Sequence, residues 1–427
     1  MGVIARLLQD VPLPRMVRAR QLFPATAVAD VAAALRAELA KPAIGGRVRR
    51  GMRVAVGVGS RGIADLPLVV SVVVDELRRR GASPFIVPAM GSHGGATAEG
   101  QAALLAALGV TEASAGCPIV SSMETAQLGE LESGLPVLLD ASARAADGIV
   151  VVNRVKPHTS FSGRLESGLV KMIAIGLGKQ RGADACHALG FGAMAGNIVA
   201  MARVALGEAP FLFGVATVEN AYDRIARVVA IPAEEIVEAE EELLVEAKRS
   251  MPRILFNPLD VLVVDLMGKE FSGTGTDPNI TGRASTPFLA TAQRVTKMVT
   301  LDLSERSHGN ATGVGFADVT TRRLFQKMDL EATYANHITS TVLVHAKIPL
   351  MTDSDRLAIQ AAVKTCNVRD LARVRLVHVK NTLHLETIGI SEALLEEARQ
   401  HPSISIEGEP EDWDFDEAGN LRGLGAW

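Results

Sequence analysis

The chain has 427 residues, 48% hydrophobic and 22% charged, with a formal net charge of −4 and a sequence pI near 6.2. That is enough apolar material for two or three domains. The slight acidity and an aromatic content of 4% exclude a basic nucleic-acid track lined with stacking rings. Cys117, Cys186 and Cys366 are odd in number and far apart, which fits a reducing compartment and no disulfide framework. The N-terminal MGVIARLLQDVPLPR has too short an apolar run for a signal peptide, and stretches such as PLVVSVVV (67–74) fall well short of a membrane span. A cytoplasmic protein with no membrane and no nucleic-acid partner is expected.

In chain order, MRVAVGVGS (52–60) reads as a strand running into a glycine turn, and Leu68–Arg80 as a helix stopped by Gly81. SPFIVPAM (83–90) is a second strand, followed by the turn GSHGGA and a helix from Thr97 to about Leu108. DGIVVVNRV (147–155) has the continuous apolar character of a buried parallel strand. The acidic helix 233–250 ends near Pro252, and NPLDVLVVDLMG (257–268) opens a second unit. A polar, Gly-rich loop spans 269–283, and strand-like runs follow at 297–304, 340–348 and 373–380. The tail from His401, with EGEPEDWDFDEAGN, reads as an acidic surface extension. The βαβ rhythm predicts an α/β fold of two α/β domains with parallel-rich sheets, 1–252 and 253–427, and an active-site cleft between them.

Ligands in such sheets sit beyond the carboxyl ends of the strands. Arg61, His93 and His158 each lie just past a candidate strand end. His93 (GSHGGAT) and His158 (KPHTSFSG) are suited to proton transfer near neutrality, although a structural turn histidine is an equal alternative for each. Arg61 could clamp a carboxylate or be an ordinary surface arginine. The Gly/Ser run with Ser162, Gly163, Ser167 and Gly168 could cradle a phosphate at a helix start, although such loops are common. Lys171 lies in GLVKMIAIGLG, where it is either a snorkelling lysine or a covalent anchor. His187 follows sixteen residues later on an Ala/Gly-rich helix and is either a packed helix residue or a metal ligand. No Walker, HExxH or CxxC pattern is present. His308 is a further loop histidine, and His337, His345, His378 and His384 read as structural.

Together these residues resemble the nickel-dependent lactate racemase superfamily of 2-hydroxy-acid racemases and epimerases. His93 after its glycine turn and His158 before an FSG loop match the family's two catalytic histidines. Lys171 matches the lysine that carries the cofactor, and His187 the nickel ligand. The resemblance implies a nickel-pincer nucleotide, a pyridinium bis-thiocarboxylate-type mononucleotide covalently linked to Lys171, with Ser162, Gly163, Ser167 and Gly168 near its phosphate. Arg61 would bind the substrate carboxylate, and Asn279 and Arg283, with Asp277 beside them, would bind from the second domain. The implied partners are a small 2-hydroxy acid and cofactor-maturation proteins, with room for a homo-oligomer. Protein made without that maturation machinery is expected to lack the cofactor.

The chain departs from the family pattern in carrying RLE between FSG and SGLVK, and in having Val58 and Gly59 where an acidic residue is expected before the arginine. The expected activity is therefore racemisation or epimerisation at C2 of a 2-hydroxy acid other than lactate. The alternatives are a Schiff-base lysine enzyme acting on keto acids and a non-catalytic hydroxy-acid-binding protein.

Overall fold

The computed structural model describes residues 2–59 and 63–425. The chain divides into two compact units, Ala25–Met251 and a second unit formed by the segment through Pro24 with Pro252 onward. Among the described residues no helix is long and apolar enough to cross a membrane.

The first unit is built on a five-stranded sheet in the order Ser83–Pro88, Arg53–Val58, Gly148–Arg154, Phe211–Glu219, Ile225–Pro232. The first four strands are parallel and the last is antiparallel. Val54, Val56, Val58, Val150 and Val152 are buried. This is why the strands read as apolar runs rather than alternations: helices cover both faces of such a sheet. The helix Leu66–Arg79 joins the first two strands, and its valines at 69, 70, 72, 73 and 74 are all buried. β-branched residues are mediocre helix formers, so burial against the sheet decides this element. From Arg53–Val58 the chain moves first to one side, then to Gly148–Arg154 on the other. The order therefore reverses at these two strands, and their carboxyl ends flank the crevice in which ligands of open α/β sheets bind.

The second unit holds a sheet of eight strands among the described residues, in the order Leu350–Thr352, Val319–Thr321, Val295–Leu303, Leu259–Met267, Leu376–Val379, Thr387–Ser391, Met16–Gln21, Ile404–Glu411. Three expectations are corrected here. The segment through Pro24 groups with the second unit, because Met16–Gln21 pairs antiparallel with both Thr387–Ser391 and Ile404–Glu411. The run 340–348 is not a strand: it holds the end of the helix Leu330–Ser340 and a 3₁₀ turn at Val344–Ala346, with Leu343 62% exposed. The strand of this region is instead Leu350–Thr352, which pairs parallel with Val319–Thr321 at the sheet edge. The acidic tail is no loose extension either. Trp413, Phe415, Leu421 and Leu424 pack on the core, and Trp413 lies 5.1 Å, ring to ring, from His378.

Candidate active site

Residues 155–187 run from the end of the strand Gly148–Arg154 through a loop into helix. The loop is pinned by Glu166, a buried carboxylate that accepts from His158 N–H at 2.7 Å, from Gly163 N–H at 3.1 Å and from Lys248 Nζ at 2.6 Å. Asn153 at the strand end donates to Gly168 O at 2.8 Å, closing the loop's far side. The Cβ of any residue replacing Gly59 would come within 2.8 Å of Met172 Cε.

Lys171 ends the short helix Leu169–Lys171, and the chain continues as a π-helical turn, Met172–Gly176, with Leu177 N–H bonded to Met172 O at 2.9 Å. Such turns widen a helix locally and recur at functional sites. Nζ of Lys171 lies 2.7 Å from Nε2 of His158. Nδ1 of that ring accepts the Ser160 N–H at 3.0 Å. A neutral imidazole with its lone pair on Nδ1 carries its proton on Nε2. In that tautomer Nε2–H faces Nζ.

His187 closes the helix Lys179–His187. Its Nδ1–H donates to Ala183 O at 2.7 Å, which leaves the lone pair on Nε2, the arrangement of a metal-ligating histidine. Its pKa is lowered, first by burial; the bond to Ala183 opposes this, and a charge on Lys171 adds to it. The rings join the two histidines: His158 is 4.4 Å from Phe161 and 6.4 Å from Phe191, and Phe191 is 5.7 Å from His187. His158, Lys171 and His187 therefore form one cluster with an aromatic wall. Among the described residues no three His, Cys, Asp or Glu side chains converge to hold a metal, so His187 could be one ligand of a group that brings its own donors.

His93 lies in the turn after Ser83–Pro88, with an exposed side chain. Gly91, at φ 56°, donates its N–H to Gly176 O at 3.0 Å, so this turn is tied to the π-helical segment that follows Lys171. Arg61 lies outside the described residues. Asp277, Asn279 and Arg283 belong to the second unit. Asp277 Oδ1 accepts the Asn279 N–H at 2.9 Å, and Arg283 Nη2 pairs with Asp318 at 2.5 Å and Thr296 O at 3.0 Å.

Within the phosphate cradle expected at 162–168, the Gly163 N–H donates to Glu166, and beyond it the Val170 N–H donates to Glu240 at 3.0 Å. Burial pushes the Glu240 carboxyl up to about 7, against the opposing hydrogen bonds from Val170 and Leu169. The sequence reading passed over both glutamates. Glu166 lies in the RLE insertion. Glu240 falls on the apolar stripe of its helix with Ile236, Leu243, Leu244 and Ala247, a pattern visible in the sequence. It also missed Lys179, which is fully buried beside Asp140. Burial lowers the Lys179 pKa, and Asp140 opposes that shift.

Residues 7–196 match the lactate racemase N-terminal domain family. Among solved structures, the lactate racemase apoprotein from Thermoanaerobacterium thermosaccharolyticum is similar, with a TM-score of 0.53 at 12% identity, covering 84% of this chain and 93% of that one. At that identity the likeness establishes a shared fold. A structural-genomics protein from Thermotoga maritima aligns with a TM-score of 0.44 at 15% identity, over 60% of this chain and 67% of that one. No curated protein matches by sequence.

Proposed function

We propose, for a chain whose residues 7–196 belong to the lactate racemase N-terminal domain family, that it racemises or epimerises a 2-hydroxy acid at the hydroxyl-bearing carbon. The observation that carries this reading is the cluster itself: Lys171 Nζ 2.7 Å from His158 Nε2, and His187 whose bond to Ala183 leaves the lone pair on Nε2. These two groups suit a nickel-pincer nucleotide, Lys171 as its covalent anchor and His187 as its one protein ligand to nickel. The Glu166 and Glu240 carboxylates argue against a phosphate on the N–H groups of 163 and 170. Ser162, Ser167 and Gly168 would remain to meet the nucleotide phosphate.

When bound, the group supplies a metal-activated ring able to take up and return hydride. The protein supplies the proton chemistry. His158 and His93 would each take the substrate hydroxyl proton from one hand of the substrate and return it to the other. Two bases suit a reaction that must run in both directions. Arg61 would bind the carboxylate bidentately. The rings of Phe161 and Phe191 would keep water from the reacting carbon.

The test is to express the chain with and without cofactor-maturation proteins, then measure intact mass, nickel and turnover on a panel of 2-hydroxy acids longer than lactate. A mass adduct on Lys171 with stoichiometric nickel and racemisation is expected only in the first preparation. Full activity with unmodified Lys171 would sink the reading.

The amine character of Lys171 also favours a second reading. Nζ could add to the carbonyl of a keto acid and form an imine with loss of water. Borohydride with a keto acid would then leave a secondary amine on Lys171 in cofactor-free protein, and no mass change would exclude this chemistry.

A further inference from the structure

Gln101 is fully buried in the helix Ala98–Ala107. Its amide nitrogen donates to Gly91 O at 2.9 Å and to His93 O at 3.2 Å. Both N–H bonds thus hold the turn that presents His93. Its amide oxygen lies 3.4 Å from Nζ of Lys179. The same Nζ donates to Pro88 O at 2.5 Å, at the end of the strand that leads into the turn, and lies 3.1 Å from Asp140 Oδ2. The side chains of Lys179 and Asp140 have no exposed surface. Lys179 also has a left-handed φ of 56°, which a residue with a Cβ keeps only where its surroundings hold it.

An ammonium group has three donors and no acceptor. It therefore selects the oxygen end of the Gln101 amide and leaves the NH₂ end facing the two carbonyls. Lys179 lies eight residues beyond Lys171 in a run of helical turns that continues to His187. The His93 turn is consequently fastened to the lysine-bearing segment twice: by Gly91 N–H to Gly176 O, and through Gln101 to Lys179.

We propose that Gln101 is a positioning residue for His93, and that the buried Lys179–Asp140 pair fixes the orientation of its amide. The catalytic part of this inference rests on the reading of His93 as a proton-transfer group, whereas the geometric part does not.

The experiment uses the full chain with ¹³C-labelled histidine, the His93 ring signal being assigned through His93→Gln. Gln101→Met deletes the amide's bonds to Gly91 O, His93 O and Lys179 and leaves the Lys179–Asp140 pair in place. The His93 signal should move by more than its linewidth while circular dichroism and the His158 signal stay parental. In matured protein kcat should fall about 10²-fold, the scale of a misplaced catalytic group, with KM and nickel content retained. Lys179→Met combined with Asp140→Leu removes both charges together, so no lone buried charge remains, and should give the same pattern. An unmoved His93 signal in folded Gln101→Met overturns the proposal, as does an unmoved signal in Gln101→Glu should the first variant not fold. Nickel loss in proportion to activity loss also overturns it, because that marks general damage. A matured parent that turns over no 2-hydroxy acid would refute the proposed activity alone, and the ring signal would still decide the positioning.

Discussion

Nε2 of His158 stands 2.7 Å from Nζ of Lys171, while Nδ1 of the same ring accepts the Ser160 N–H at 3.0 Å. This bonding predicts an unprotonated Lys171 amine in cofactor-free protein. In cofactor-free protein, a limiting amount of an amine-selective acylating reagent should modify Lys171 ahead of the exposed lysines. His158→Phe should abolish that preference. Peptide mass mapping at low conversion reads both, and a uniform distribution over the lysines in the parent would contradict the tautomer argument.

The three histidines should separate by phenotype. His93→Ala and His158→Ala should each lose roughly 10²–10⁴-fold in racemisation, the usual contribution of a positioned acid–base group, and keep their nickel. His187→Ala should lose nickel first. Metal analysis and turnover measured in parallel on matured protein check the assignment, and equal nickel loss in all three variants would reverse it.

Glu240 makes stability depend on pH. Its folded pKa, about 7, lies above the usual 4.5 because burial disfavours the carboxylate. The folded state therefore holds its proton where the unfolded chain has released it. The stabilisation is complete below about pH 4.5 and is lost as pH rises through 7, a change on the order of 3 kcal/mol. Urea denaturation at pH 5, 6, 7 and 8 should show this decline in the parent. Glu240→Gln should flatten it, and an identical slope in both proteins would assign the decline to another group.

Glu166→Ala should lower stability by about 1–3 kcal/mol, because it leaves the half-buried His158 and Gly163 N–H groups without their acceptor. Loop geometry should suffer with it, and the reagent preference for Lys171 should fall. A melting temperature within a degree of the parent would show that the loop does not depend on this carboxylate.

Much of the fold was legible in the sequence. The apolar runs at 52–58, 83–88 and 148–154 read as strands, the last as a buried parallel one, and the three do pair in parallel. The spacing of His158, Lys171 and His187 marked one segment as chemically distinct, because a lysine inside an apolar run and histidines in glycine-rich surroundings are unusual in any core. These are properties of neighbouring residues, and local sequence carries them.

Only the tertiary structure decided the rest. That Met16–Gln21 completes a sheet with strands near residue 390 and residue 408, and that Trp413 returns to His378, depend on pairings across nearly the whole chain. That Glu166 and Glu240 occupy backbone donors of a loop expected to bind phosphate depends on two carboxylates meeting N–H groups, and the second comes from seventy residues away. Lys179, Asp140 and Gln101 look ordinary in sequence. They acquire a role because folding buries all three together, where a charge must find its partner and an amide can face only one way.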